Sequence, residues 1–84
     1  MEPQFKAIAD HALLVTFAKN ISEEAHAAVI ALDKAIAVDP PNGVLETLPA
    51  LVNLLVSFDP AITDHIAIEG HVRECLKGLE TKEI

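Results

Sequence analysis

Apolar and polar residues alternate in four short stretches of this chain and recur at helical spacing in two longer ones. The clearest alternation lies between Pro40 and Pro60. Two apolar runs there, Val44–Leu48 and Leu51–Phe58, meet at Pro49-Ala50. Pro40-Pro41-Asn42-Gly43 bounds the first run and Asp59-Pro60 the second. Proline cannot donate to a ladder, and glycine and Asn adopt turn angles, so these clusters delimit strands. The two runs are predicted to be adjacent antiparallel strands. In the second, Val52, Leu54, Val56 and Phe58 share one wholly apolar face, which should be the core. The reverse face carries Leu51, Asn53, Leu55 and Ser57. It is mixed, with two leucines for which water is a poor neighbour.

The N-terminal part repeats this arrangement. Gln4–Ala9 is predicted as a first strand, with Asp10-His11 as the turn, where Asp is expected to cap its own backbone. Ala12–Phe17 is the second strand. Leu13, Val15 and Phe17 fall on one side, and Ala12, Leu14 and Thr16 on the other.

Helical spacing follows each strand pair. Ser22 is a suitable N-cap, and Glu23 and Glu24 then sit at the positive end of the helix dipole. Ala25, Val29, Leu32 and Ile36 form one stripe, with Ala28 and Ala35 beside it. Glu23, Glu24, Asp33 and Lys34 should face water, and Pro40-Pro41 ends the helix. In the second helix Thr63 or Asp64 is the expected cap, and Ile68, Val72, Cys75, Leu76 and Leu79 form the stripe. Gly70 and Gly78 weaken it by up to about 1 kcal/mol each. The alternating charges of Glu80–Ile84 predict a frayed end.

The fold class is therefore α+β: a two-layer ββαββα sandwich, a four-stranded antiparallel sheet with two helices on one face. The other face stays open. Leu14, Leu51 and Leu55 are predicted to lie there, and they are the candidate partner-binding residues.

Composition sharpens this expectation. Eighty-four residues make one domain, residues 1–84, and a small domain has proportionally more surface. Yet 51 % of the residues are hydrophobic, and the mean hydropathy is +0.35. The surplus calls for a partner or a further part of the chain to cover it. The formal net charge is −7, with 6 Lys and Arg against 13 Asp and Glu, and Trp and Tyr are absent. Without a basic cluster the chain is not expected to bind nucleic acid or an anionic membrane. No apolar run approaches the roughly 20 residues of a membrane-spanning helix, and no signal-peptide pattern opens the chain. Cys75 is the only cysteine, so no internal disulfide forms, which fits a reducing, cytoplasmic setting.

Candidate chemistry is sparse. His65 and Glu69 are four apart, as are His71 and Cys75, so each pair shares a helix side. A metal site needs three or four ligands, and no third residue is spaced to join either pair. A solvated face explains the first pair, and the edge of the apolar stripe explains the second. Cys75 lies in that stripe, where cysteine acts as a small hydrophobe rather than a nucleophile. His11 and His26 read as surface residues. Asp10, Glu46 and Asp59 are not brought together by any spacing, and Gly43, Gly70 and Gly78 are too isolated for a phosphate loop. No constellation supports catalysis by this chain alone.

Three segments carry a family resemblance. Asp10-His11-Ala12-Leu13-Leu14-Val15-Thr16-Phe17 is similar to an opening Gly-Asp-x-Ala-Leu-Leu-Val-x-Phe-Gly. Asn42-Gly43-Val44-Leu45-Glu46-Thr47-Leu48-Pro49-Ala50 resembles Pro-Gly-Val-x-Glu-x-Val-Pro-Ala. Leu54-Leu55-Val56-Ser57-Phe58-Asp59-Pro60 resembles Leu-Leu-Val-x-Tyr-Asp-Pro. In this order and spacing they resemble the N-terminal domain of the KipI/PxpB family, whose members include subunits of 5-oxoprolinase and of allophanate hydrolase. Ala9 and Ala18 stand where that pattern has glycine, and Leu51 where it has tyrosine.

The resemblance implies the same ββαββα domain, followed in the family by a cyclophilin-like C-terminal domain that holds much of the active-site surface. It implies a non-catalytic domain that docks a homologous carboxyltransferase-like subunit of an ATP-dependent 5-oxoprolinase complex. ATP is used by that complex, with no cofactor held by this domain. The alternative it implies is a regulatory module that inhibits a sensor histidine kinase. A second copy of the chain on the open face is a further candidate partner.

Overall fold

The computed structural model describes residues 3–81. The elements follow the predicted order: β1 Gln4–Ile8, β2 Ala12–Thr16, α1 Glu23–Val38, β3 Val44–Pro49, β4 Asn53–Phe58 and α2 His65–Thr81. The strands form one antiparallel sheet in the order β1-β2-β4-β3. The two most apolar strands occupy the centre. The edges go to β1, which carries Lys6, and to β3, which carries Glu46, a bulge at Leu45 and the terminal Pro49. Charges, bulges and proline are what discourage an edge from pairing with another sheet.

Both helices cover one face. The α1 helix packs on β3 and β4, α2 packs on β2, and the helices touch each other. Leu13, Val15, Phe17, Leu54, Val56 and Phe58 from the sheet meet Ala25, Val29, Leu32 and Ile36 of α1 and Ile68 and Val72 of α2. The whole stripe predicted for α1 is buried. Each fully buried Leu, Ile, Val or Phe contributes about 1.5–3 kcal/mol, so this cluster holds the two layers together.

Both helix starts are capped. Ser22 Oγ accepts from the Ala25 N–H at 3.0 Å. Asp64, rather than Thr63, caps α2, accepting from the Ala67 N–H at 2.8 Å. Arg73 lies 4.5 Å above the Phe5 ring and donates through Nε to Glu69 at 3.0 Å, pinning α2 over the β1 edge.

Several boundaries differ from expectation. β1 ends at Ile8 because Ala9 turns the chain at φ 50. The Asp10 carboxylate lies 3.3 Å from His11 Nδ1 instead of capping its own backbone. β2 stops at Thr16, although the Phe17 N–H still donates to the Val52 carbonyl at 2.8 Å. β3 reaches Pro49, and β4 begins at Asn53 rather than Leu51. The Ala50 N–H donates to the Asn53 carbonyl at 2.8 Å, which leaves Leu51 and Val52 as a two-residue hairpin loop. Asp33 is half-buried rather than solvated, and its carboxylate accepts from Thr47 Oγ1 of β3. The helix persists through Thr81 where fraying was expected from Glu80, and residues 82–84 lie outside the described residues.

The loops at the Phe58 end are bonded together. The Phe58 N–H donates to the His11 carbonyl and the Asp59 N–H to the Gly43 carbonyl, each at 2.8 Å. The Asp59 side chain accepts from the Ala61 N–H at 2.9 Å, shaping the turn into α2. Gly43 has φ +94, and a Cβ there would meet Thr63 Cγ2 at 2.8 Å.

Two positive-φ sites therefore make opposite predictions. Gly43→Ala should lower stability by about 2 kcal/mol or more, from backbone strain and the clash together. Ala9→Gly should raise it by about 1 kcal/mol by relieving a left-handed alanine. Urea unfolding of both variants checks the signs.

Candidate functional site

Strand register places each open-face residue. Core residues alternate with open-face residues, and cross-strand partners share a face. Leu14 therefore stands directly beside Leu55 at the middle of the sheet. Lys6 flanks Leu14 on β1, and Leu48 flanks Leu55 on β3. The row nearer the β1–β2 turn holds Ile8, Ala12, Ser57 and Glu46. The opposite row holds Gln4, Thr16 and Asn53, all polar. Ala12, in the first of these rows, is 2 % exposed yet stands outside the core cluster.

Two of the three candidate residues, Leu14 and Leu55, are thus neighbours, both half-buried. Leu51 is not with them. It sits in the β3–β4 hairpin loop, 52 % exposed, because β4 starts two residues later than its alternation suggests. Leu48, 50 % exposed, completes the apolar row and was missed. Its signal was the hairpin: a two-residue loop at Leu51-Val52 pairs Leu48 with Leu55 by counting back.

The electrostatics of the face are spare. Lys6 and Glu46 are both exposed, on opposite edges of the sheet, and neither has an ion-pair partner among the described residues. The apolar side chains run between them.

The remaining candidates carry no chemistry together. His65 is half-buried with its ring edge-on to Phe58, centroids 5.1 Å apart, rather than solvated. Glu69 pairs with Arg73, its Oε2 lying 2.9 Å from Arg73 Nη2. His65 Nε2 and His71 Nε2 are buried without a hydrogen-bond partner. No three His, Cys, Asp or Glu side chains among the described residues are grouped to hold a metal ion. His11 and His26 are exposed. A shallow cleft of about 150 Å³, lined by Gln4, Thr16, Phe17, Ala18 and Lys19, falls below the about 300–1,000 Å³ typical of small-molecule sites. Among the described residues no helix is long and apolar enough to cross a membrane.

Known proteins bear on this geometry. The family model for the carboxyltransferase domain, subdomain C and D, matches residues 3–84. The conserved uncharacterized protein PH0987 of Pyrococcus horikoshii has a similar structure, with a TM-score of 0.81 at 32% sequence identity. That likeness covers 93% of this chain and 37% of the other, so this chain spans little more than a third of that protein. The N-terminal domain of the histidine kinase inhibitor KipI from Bacillus subtilis gives a TM-score of 0.73 over 92% of this chain and 86% of that one. At 24% identity, that likeness is one of fold. No protein of curated function matches the chain.

Cys75 is half-buried against the core. Burial, and then the Asp39 and Glu74 carboxylates, push its thiol above the ordinary range. The thiolate is the reactive form, so it is scarce near neutral pH. Alkylation by iodoacetamide at pH 7.5 should run slower than for a small free thiol and accelerate only in alkali. A rate equal to the free thiol would contradict this account.

Proposed function

Because this chain belongs to the carboxyltransferase subdomain C and D family, of the KipI/PxpB type, we propose that it is a non-catalytic docking domain of a 5-oxoprolinase-type hydrolase subunit. The observation that carries this reading is the open sheet face, where Leu14, Leu55 and Leu48 form an apolar row that neither helix covers. An uncovered apolar row on a small domain marks an interaction surface. The partner is a carboxyltransferase-like subunit homologous to this family. ATP-driven opening of a cyclic amide then belongs to the assembly, and this domain supplies contact area and holds no cofactor. The Cys75 thiol, pushed up by burial and by the Asp39 and Glu74 carboxylates, is a poor nucleophile.

The likeness of fold to the KipI N-terminal domain supports a second reading, a regulatory module that inhibits a sensor histidine kinase. An autophosphorylation assay separates the two: saturating domain that leaves the kinase rate unchanged removes this second reading.

The docking reading makes a direct prediction. Leu55→Asp places a charge at the centre of the row and should reduce capture of the carboxyltransferase-like subunit by at least about tenfold. The circular dichroism spectrum should stay that of the parent domain. Undiminished capture by the folded variant would show that the partner docks elsewhere.

A further inference from the structure

The shape and charge order of the open face define what can lie on it. The apolar side chains form a band, not a sheet-wide surface. It starts at Ile8 on β1, crosses the buried Ala12, runs through Leu14 and Leu55, and ends at Leu48 on β3. Three strand spacings of about 4.8 Å and one two-residue step of about 6.8 Å make it about 16 Å long. It is one to two residues wide, because the row toward the β3–β4 hairpin is polar. A second sheet needs apolar partners on every row, so this band suits a narrower ridge. One amphipathic α-helix presents such a ridge, and about 11 residues at 1.5 Å rise span the band.

The charges give the helix a direction. Lys6 lies one two-residue step from Ile8 on β1, and Glu46 one such step from Leu48 on β3, on opposite sides of the band, both exposed and without ion-pair partners among the described residues. A helix carries partial positive charge at its N-terminus and partial negative charge at its C-terminus. We propose that the open face receives an amphipathic helix of the partner, lying across the strands with its N-terminus over Glu46 and its C-terminus over Lys6. This inference rests on the docking reading and names the chemistry of the docked element: an apolar ridge, basic side chains in the first turn and acidic ones in the last.

The probe is a 14-residue helical peptide with a leucine stripe, a nitroxide label at its N-terminus, two lysines in its first turn and two glutamates in its last. Amide resonances of the ¹⁵N-labelled 84-residue chain report where it lies. Broadening centred on Leu48 and Glu46 is the expected result. Reversing the peptide's charge order should weaken binding about three- to tenfold. The Lys6→Glu, Glu46→Lys double variant should reverse that preference, and its two exposed positions leave the fold intact.

Broadening centred on Lys6, an even spread, or no binding at millimolar peptide would overturn the proposal. So would self-association of the chain that buries this face, because a second copy would then be the occupant. If the peptide fails while Leu55→Asp still abolishes capture of the partner subunit, the docking reading stands and only the helix is wrong. If both fail, the face is not a docking site.

Discussion

The pairing of β2 with β4 is the contact on which every other element depends. It joins segments far apart in the chain, with Leu13 opposite Val56 and Val15 opposite Leu54 on the core side. Those four side chains are buried and form the floor on which both helices rest. The same register forces Leu14 opposite Leu55 on the reverse side, because successive strand residues point to opposite faces. A slip of one residue would exchange the two sets and expose the core. The core and the candidate docking face are therefore two sides of one pairing.

The edges and loops protect this centre. β1 is held by β2 on one side and by Arg73 stacking on Phe5 from above. β3 is tied to α1 through Thr47 and Asp33, and to the β4–α2 loop through Gly43. At the Phe58 end, backbone hydrogen bonds link the β1–β2 turn, the α1–β3 loop and the β4–α2 loop. The sheet is thus held at its edges and at one end, which gives the open face a defined shape without any partner. A preformed face loses less conformational freedom when it binds.

Much of this was legible in the chain, for identifiable reasons. Alternation sets the phase of a strand, so the core faces of β2 and β4 followed from residue order alone. The α1 stripe of Ala25, Val29, Leu32 and Ile36 was equally plain, because one face of that helix is continuously apolar. What alternation does not set is where a strand yields to its turn. Leu51 continues the period of β4, but the hairpin bond between Ala50 and Asn53 takes it out of the ladder. Leu48 was missed for the complementary reason: membership of a row depends on cross-strand register, which loop length decides. His65 and Asp33 are polar residues on helices, and only tertiary contacts with Phe58 and Thr47 draw them inward.

The composition of the open face resolves an opposition between solubility and binding. A uniformly apolar face would bind strongly but would also collapse on any other apolar surface. A polar face would leave nothing to bury. Here two central leucines are half-shielded by their neighbours, Leu48 extends their row to the β3 edge, and Lys6 and Glu46 stand at the two margins. Water can solvate the margins and the polar row when the domain is alone. A partner that covers the leucines must also satisfy both charges in the right order, and like charges placed together would penalise the wrong one. For such a partner the few apolar side chains would supply the area for association, and the two edge charges its direction. On the docking reading, selectivity on so small a surface would rest more on Lys6 and Glu46 than on the leucines between them.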